Sequence, residues 1–213
     1  MSQIEQSFRE LVSRKPEIKK CYEEDLINRR ALARYLIKHQ IAEPHQLEAV
    51  IAMLRRFPFA VKKQGQKITS LFADVRISLK DDITIFDFKK EKALLPKIQK
   101  LITATDYDRG DTLKLVVGSS TIKVFIDKKN EPILRDLLEG YHPKQVIKNI
   151  SEISLLFHDT AIITPGIISF LTTELSLADI TLTELLTASP ELLIYVKEEY
   201  VLKAYEIIKR VQK

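Results

Sequence analysis

Apolar residues recur at helical spacing from Ile4 to Leu54, and at alternating spacing through much of the remaining chain. Ile4–Ser13 and Pro16–Leu26 read as two helices broken at Lys15-Pro16. Asn28 is placed to cap a third, with Ala31, Leu32, Tyr35 and Leu36 turned inward. After the connection Ile41-Ala42-Glu43-Pro44, a fourth helix carries Leu47, Val50, Ile51 and Leu54, and Phe57-Pro58 ends it. Residues 1–60 are thus expected to form a helical, helix-turn-helix-like domain. The polar, basic stretch 61–67 reads as a linker.

From residue 68 the pattern becomes mixed. Val75–Leu79 and Ile83–Phe88 both alternate around Lys80-Asp81-Asp82, which reads as a hairpin. Leu94–Ile102 is helical. Leu113–Val117 and Thr121–Ile126 flank Gly118-Ser119-Ser120, a second hairpin, and Pro132–Leu138 is a helix ended by Gly140. The last third repeats the order. Ser151–Phe157 alternates, and Thr164 and Pro165 look like the cap and first residue of a helix running to about Ser176. Ile180–Thr183 alternates again, Ser189-Pro190-Glu191 makes a turn, and Leu192–Val196 is a strand. A final helix presents Val201, Ala204, Tyr205, Ile208 and Val211 on one face. The order strand, helix, strand, strand, helix therefore occurs twice, over Ile83–Leu138 and over 151–211, which reads as a degenerate internal duplication of two units, 68–148 and 149–213.

The last third resembles the ACT domain, the small regulatory module of aspartokinases and other amino-acid enzymes. The likeness rests on Pro165-Gly166-Ile167-Ile168 after the first strand and Ala178-Asp179-Ile180 entering the second. Ala188-Ser189-Pro190-Glu191 at the hairpin and Val196-Lys197-Glu198-Glu199 before the last helix complete it. The resemblance implies an α+β fold: the helical domain followed by two ferredoxin-like βαββα(β) units of ACT type. It also implies a small effector, an amino acid, bound around the loop after the first strand, and a homo-oligomer formed through these units. Asp159, Thr164, Pro165, Gly166 and Ile167 are the residues it points to. The first unit has Lys89-Lys90-Glu91-Lys92 where the second has Pro-Gly, so the effector is assigned to the second unit alone.

The same loop has its own chemistry. A helix start presents unpaired N–H groups and a positive partial charge to a carboxylate. Gly166 lets a ligand approach the backbone, Asp159 would take an ammonium group, and Thr164 would exchange a hydrogen bond. The competing reading is that Thr164-Pro165 only starts a helix and Asp159 is solvated.

Charge changes the picture at the other end. Residues 1–67 hold 14 Lys/Arg and 8 Asp/Glu, a net +6, whereas 149–213 hold 5 and 9, a net −4. Arg29, Arg30, Arg34 and Lys38 on the third helix, with Arg55 and Arg56 ending the fourth, form a candidate phosphate-contacting cluster. Lys62 and Lys63 come next in the chain, and segment 75–88 would act as a wing. Against DNA reading, Glu48 sits at the start of the presumed recognition helix, so a solvated basic face is the alternative.

No catalytic set is legible. The four histidines, His39, His45, His142 and His158, are scattered, and there is no HExxH, CxxC or glycine-rich phosphate loop. Asp106, Asp108 and Asp111 fall short of a calcium loop because Val117 stands where its terminal Glu belongs. Cys21, the one cysteine, has no disulfide partner in the chain. No apolar run reaches membrane-spanning length, and the first residues do not look like a secretion signal. The expectation is a cytoplasmic, non-catalytic sensing or regulatory protein with no cofactor and no metal. Its alternatives are an effector-responsive DNA-binding regulator and a regulatory subunit docking on a metabolic enzyme.

Overall fold

The computed structural model describes residues 3–23, 26–57, 70–158, 161 and 164–212. The chain divides into two compact units, Met1–Lys63 and Gln64–Lys213. The expected linker 61–67 lies outside the described residues.

The first unit is helical: α1 (Gln3–Arg14), α2 (Pro16–Glu23), α3 (Arg29–Lys38) and α4 (Leu47–Arg56). Asn28 caps α3, its side-chain oxygen accepting from the Arg30 and Ala31 amides. Phe8, Leu32, Ala33, Leu36, Val50 and Leu54 form the centre of its core. Ala33 rather than Ala31 faces inward, because the buried stripe of α3 runs through 32, 33 and 36.

The second unit is one antiparallel sheet of six strands in the order β2-β3-β1-β4-β6-β5, with helices on one face. Its elements are β1 (Arg76–Lys89), α5 (Leu95–Ala104), β2 (Leu113–Val117), β3 (Thr121–Asp127) and α6 (Glu131–Leu137). They continue with β4 (Gln145–Leu156), α7 (Ile167–Leu177), β5 (Leu182–Ala188), β6 (Glu191–Lys197) and α8 (Glu198–Val211).

The hairpin expected at Lys80-Asp81-Asp82 does not form. β1 runs straight through, and the pairing with β4 shifts register between Lys80 and Ile83. Asp82 holds a left-handed φ of 54°, so the polar break is a bulge rather than a reversal. β4 has a counterpart at Asn149, φ 56°. Short Asp and Asn side chains tolerate this region better than other non-glycine residues. A bulge adds one residue and therefore swaps the faces of everything beyond it. Ile77 before Asp82 and Phe86 after it both meet helices, although their parity differs, and so do Val146 and Ile153 across Asn149.

The two long strands thereby serve both halves of the sheet. β3 pairs with the later part of β1, and β6 with the later part of β4. α5 and α6 cover Phe86, Phe88, Ile122, Val124 and Ile126. Helices α7 and α8 cover Ile153, Leu155, Leu192, Ile194 and Val196. The alternate residues, Ile83, Ile85, Phe125, Ile150, Leu193 and Tyr195, form a separate core on the opposite face. That face is closed by curling of the sheet. Phe125 on β3 meets Tyr195 on β6, ring centroids 4.7 Å apart. Lys123 on β3 pairs with Glu184 on the far edge strand β5, and Lys114 on β2 with Glu152 on β4. No helix among the described residues is long and apolar enough to cross a membrane.

Candidate functional site

The loop between β4 and α7 and the tip of the β5–β6 hairpin are brought together by main-chain bonding. The Phe157 amide donates to the Pro190 carbonyl at 3.1 Å, extending the β4–β6 edge past the strand end. The chain then turns tightly: Ala161 N–H donates to the His158 carbonyl at 2.9 Å, and Thr164 N–H to the Ala161 carbonyl at 3.0 Å. Phe157 is held from below by Phe72, edge to face at 5.2 Å.

Helix α7 starts later than its sequence suggests. Gly166, not Thr164, occupies the cap position, with φ 97° and no side-chain cap. A residue with that φ cannot belong to a right-handed helix, so Pro165 lies in the turn before it. The Gly166 carbonyl accepts from the Phe170 amide at 2.8 Å, the first bond of the helix.

Between loop and hairpin lies a cavity of about 340 Å³. Three of the residues singled out by sequence, Thr164, Gly166 and Ile167, line it. Pro165 is exposed beside it but is not in its lining, and Asp159 lies outside the described residues. Residues that sequence reasoning did not place in a site complete the wall: Phe157, Ile168 and Ser169 on one side, Thr187, Ser189 and Glu191 on the other. The signal for the second group was weak, because only the register of β6 against β4 carries the hairpin tip to this loop. Glu191 is oriented by Ser154, whose hydroxyl donates to Glu191 Oε1. That contact lies on the sheet face of Leu193 and Tyr195, opposite the one under α7, so the cavity combines an apolar floor, several hydroxyls and a helix start without a side-chain cap.

The basic cluster of the helical unit is partly consumed internally. Arg30 pairs with Glu48 at 3.0 Å, the very residue that argued against DNA reading. Arg29 Nε donates to the Tyr22 hydroxyl at 2.9 Å, and that hydroxyl donates to the Leu54 carbonyl at 2.6 Å. Arg56 Nε donates to the Ala52 carbonyl at 3.3 Å. Arg55 lines a shallow hollow with Arg29, Arg30 and Glu48, while Arg34 and Lys38 are exposed on α3. Lys62 and Lys63 lie outside the described residues, and the expected wing is the continuous strand β1.

The acidic turn before β2 is structural. Asp106 Oδ1 accepts from the Arg109 amide, and Asp111 is bound by Lys129 at 2.5 Å and by Asn130 at 2.7 Å. Lys129, then Asn130, holds the Asp111 carboxyl below the usual carboxylate range. No group of three or more potential metal ligands occurs among the described residues.

No family model matches the chain, and no curated protein matches it either. Solved structures do. The aspartate kinase of Clostridium acetobutylicum is similar at 17% identity with a TM-score of 0.53. That match covers 64% of this chain and 34% of the kinase, so it spans about a third of that protein's length. The regulatory subunit of aspartate kinase from Thermus thermophilus, solved ligand-free, is similar at 12% identity with a TM-score of 0.51. There the match covers 64% of this chain and 97% of the subunit. The corresponding subunit from Thermus flavus gives the same identity and TM-score, with equal coverage. At these identities the likeness is one of fold alone.

Proposed function

We propose that the protein is a non-catalytic regulatory or sensing protein that binds a small effector, an amino acid, in the cavity formed by Thr164, Gly166 and Ile167, with Pro165 and Asp159 in the same loop. The observation that carries this reading is the cavity itself, which lies between a helix start and a hairpin tip. Its volume, about 340 Å³, sits at the small end of ligand pockets. The ACT-like fold supports a regulatory role. We divide the second unit into ACT-type halves at 68–148 and 149–213, each completing its sheet with a long strand of the other. The protein acts in the cytoplasm as a homo-oligomer.

A second reading, a regulatory subunit docking on a metabolic enzyme, is favoured by one observation: the likeness extends over 97% of a kinase regulatory subunit. It requires the same effector site and differs in the partner. DNA binding is the weaker alternative, since Glu48 neutralises Arg30 and Tyr22 engages Arg29.

The test is a thermal-shift screen of the full chain against the twenty amino acids and common nucleotides. A true effector at about a hundredfold excess over Kd adds roughly 2–3 kcal/mol of stability. Blocking the cavity at its exposed wall with Ser169→Tyr or Thr187→Trp removes that gain. A shift unchanged in both variants places the site elsewhere. Gly166 is unsuited to this test, because any side chain at φ 97° is strained in its own right.

A further inference from the structure

Lys123 stands between two carboxylates on the inner face of the curled sheet. It alternates with Ile122 and Val124, which meet the helices, so its side chain shares the inner face with Phe125. Directly across from it on β1 is Asp87, and Cβ atoms so paired in an antiparallel ladder lie about 5 Å apart. Yet the Lys123 ammonium pairs with Glu184 on β5, a strand separated from β3 in the sheet order by β1, β4 and β6. Asp87 Oδ1 is left buried and accepts no hydrogen bond from a described residue. A buried carboxylate oxygen in that state destabilises the fold that holds it. Lys114 cannot serve both, because it is held on Glu152 beside the Tyr195 hydroxyl.

We infer that Lys123 is a two-position latch: paired with Glu184 it holds the β5–β6 hairpin curled toward β3, and paired with Asp87 it lets that curl relax. Both positions keep the ammonium on a carboxylate, so moving between them avoids the larger cost of leaving a partly buried charge unpaired. The closed position keeps the contact of Phe125 with Tyr195, centroids 4.7 Å apart, and the burial of Ile83, Ile85 and Leu193. The relaxed position gives the Asp87 oxygen its missing donor. Two arrangements that trade one carboxylate for another, through rotation of one side chain, form a bistable element. β5 also carries Thr187, and the turn after it Ser189, both of which line the cavity beside α7. Through the latch, β3 in the first half of the sheet sets the position of that cavity wall, whatever the cavity binds.

Hydrogen exchange of the ligand-free full chain, resolved along the sequence by mass spectrometry, tests this at β5. Glu184→Gln should speed exchange of the protected β5 amides roughly three- to tenfold, the effect of losing one charged contact at a partly exposed site. Asp87→Asn removes the competing acceptor, so it should slow the same amides by about two- to fivefold. In a Lys123→Gln or Glu184→Gln background, Asp87→Asn should no longer slow them, because no cation is left to move between the two carboxylates. Circular dichroism checks that each variant is folded, and Asp87→Ser makes the same comparison if Asp87→Asn is not. Exchange at β5 that is unchanged or faster when Asp87 is replaced, or slowed equally in the Lys123→Gln background, would overturn the latch and make Lys123 and Glu184 a fixed pair. No effector enters these measurements, so the effector site proposed above stands or falls separately, on the ligand screen.

Discussion

Glu152 and Tyr195 stand directly opposite each other on β4 and β6, and the buried tyrosine hydroxyl donates to Glu152 Oε2 at 2.6 Å. Lys114, reaching from β2, meets the same carboxylate oxygen. The pair therefore anchors the inner face of the curled sheet, tying an edge hairpin to the central strands. Burial, reinforced by the charge of Glu152, pushes the Tyr195 phenol far above its ordinary range.

Replacing Tyr195 with Phe should destabilise the second unit by about 1–3 kcal/mol, since Glu152 loses a donor while staying buried. The sign of the shift sets the pH dependence. In the unfolded chain the phenol ionises near pH ~10, while the folded one stays protonated, so its contribution is intact below that pH and lost above it. Wild type minus Tyr195→Phe stability should be flat up to about pH 9 and then fall by as much as ~1.4 kcal/mol per pH unit. Urea titrations of both proteins across that window measure the difference, in which the lysines titrating in both cancel.

Asn149 occupies a left-handed bulge at φ 56°. A β-branched residue there carries a steric cost that Asn and Gly avoid. Asn149→Val should lower stability by about 1–2 kcal/mol, whereas Asn149→Gly should stay within roughly 1 kcal/mol of wild type. Equal losses in the two variants, in denaturant titration, would mean that the side chain of Asn149 rather than its φ matters.

Mixed-sequence duplex DNA should show no retardation by this protein at about 100 mM salt, where exposed charges beyond roughly 10 Å are already screened. Arg30 is neutralised by Glu48, and Arg29 is committed to Tyr22. Retardation that falls steeply with salt, and disappears when Arg29, Arg30 and Arg34 are changed to Glu, would instead make the helical unit a phosphate-binding domain.

Leu177, the last residue of α7, is 78% exposed, and Leu202, in the second turn of α8, is 68% exposed; the two helices meet where Lys203 Nζ donates to the Ala178 carbonyl at 2.7 Å. Apolar side chains left this open beside a sheet with two edge strands favour self-association. Light scattering at micromolar concentration should report at least a dimer, and Leu177→Lys with Leu202→Lys should shift it toward monomer. A wild-type monomer, with and without amino acids, would end the homo-oligomer reading.

The sequence by itself determined the elements. Helical spacing placed α1 to α4, Asn28 marked the start of α3, and Gly118-Ser119-Ser120 joined β2 to β3. The double strand–helix–strand–strand–helix order and the Pro-Gly loop were legible because period and turn chemistry are local properties. What tertiary structure decided were the places where one segment answers to another far along the chain. Lys80-Asp81-Asp82 has the composition of a turn, yet it is a bulge, because pairing with both β3 and β4 holds β1 extended on either side of it. Thr164-Pro165 has the composition of a helix start, yet Gly166 and the turn bonds of Ala161 and Thr164 delay the helix. The tip of the β5–β6 hairpin entered the candidate site because β6 pairs with β4 in a register that brings it against the loop before α7. Such pairing is set by burial of two sheet faces at once, and no window of local sequence contains that information.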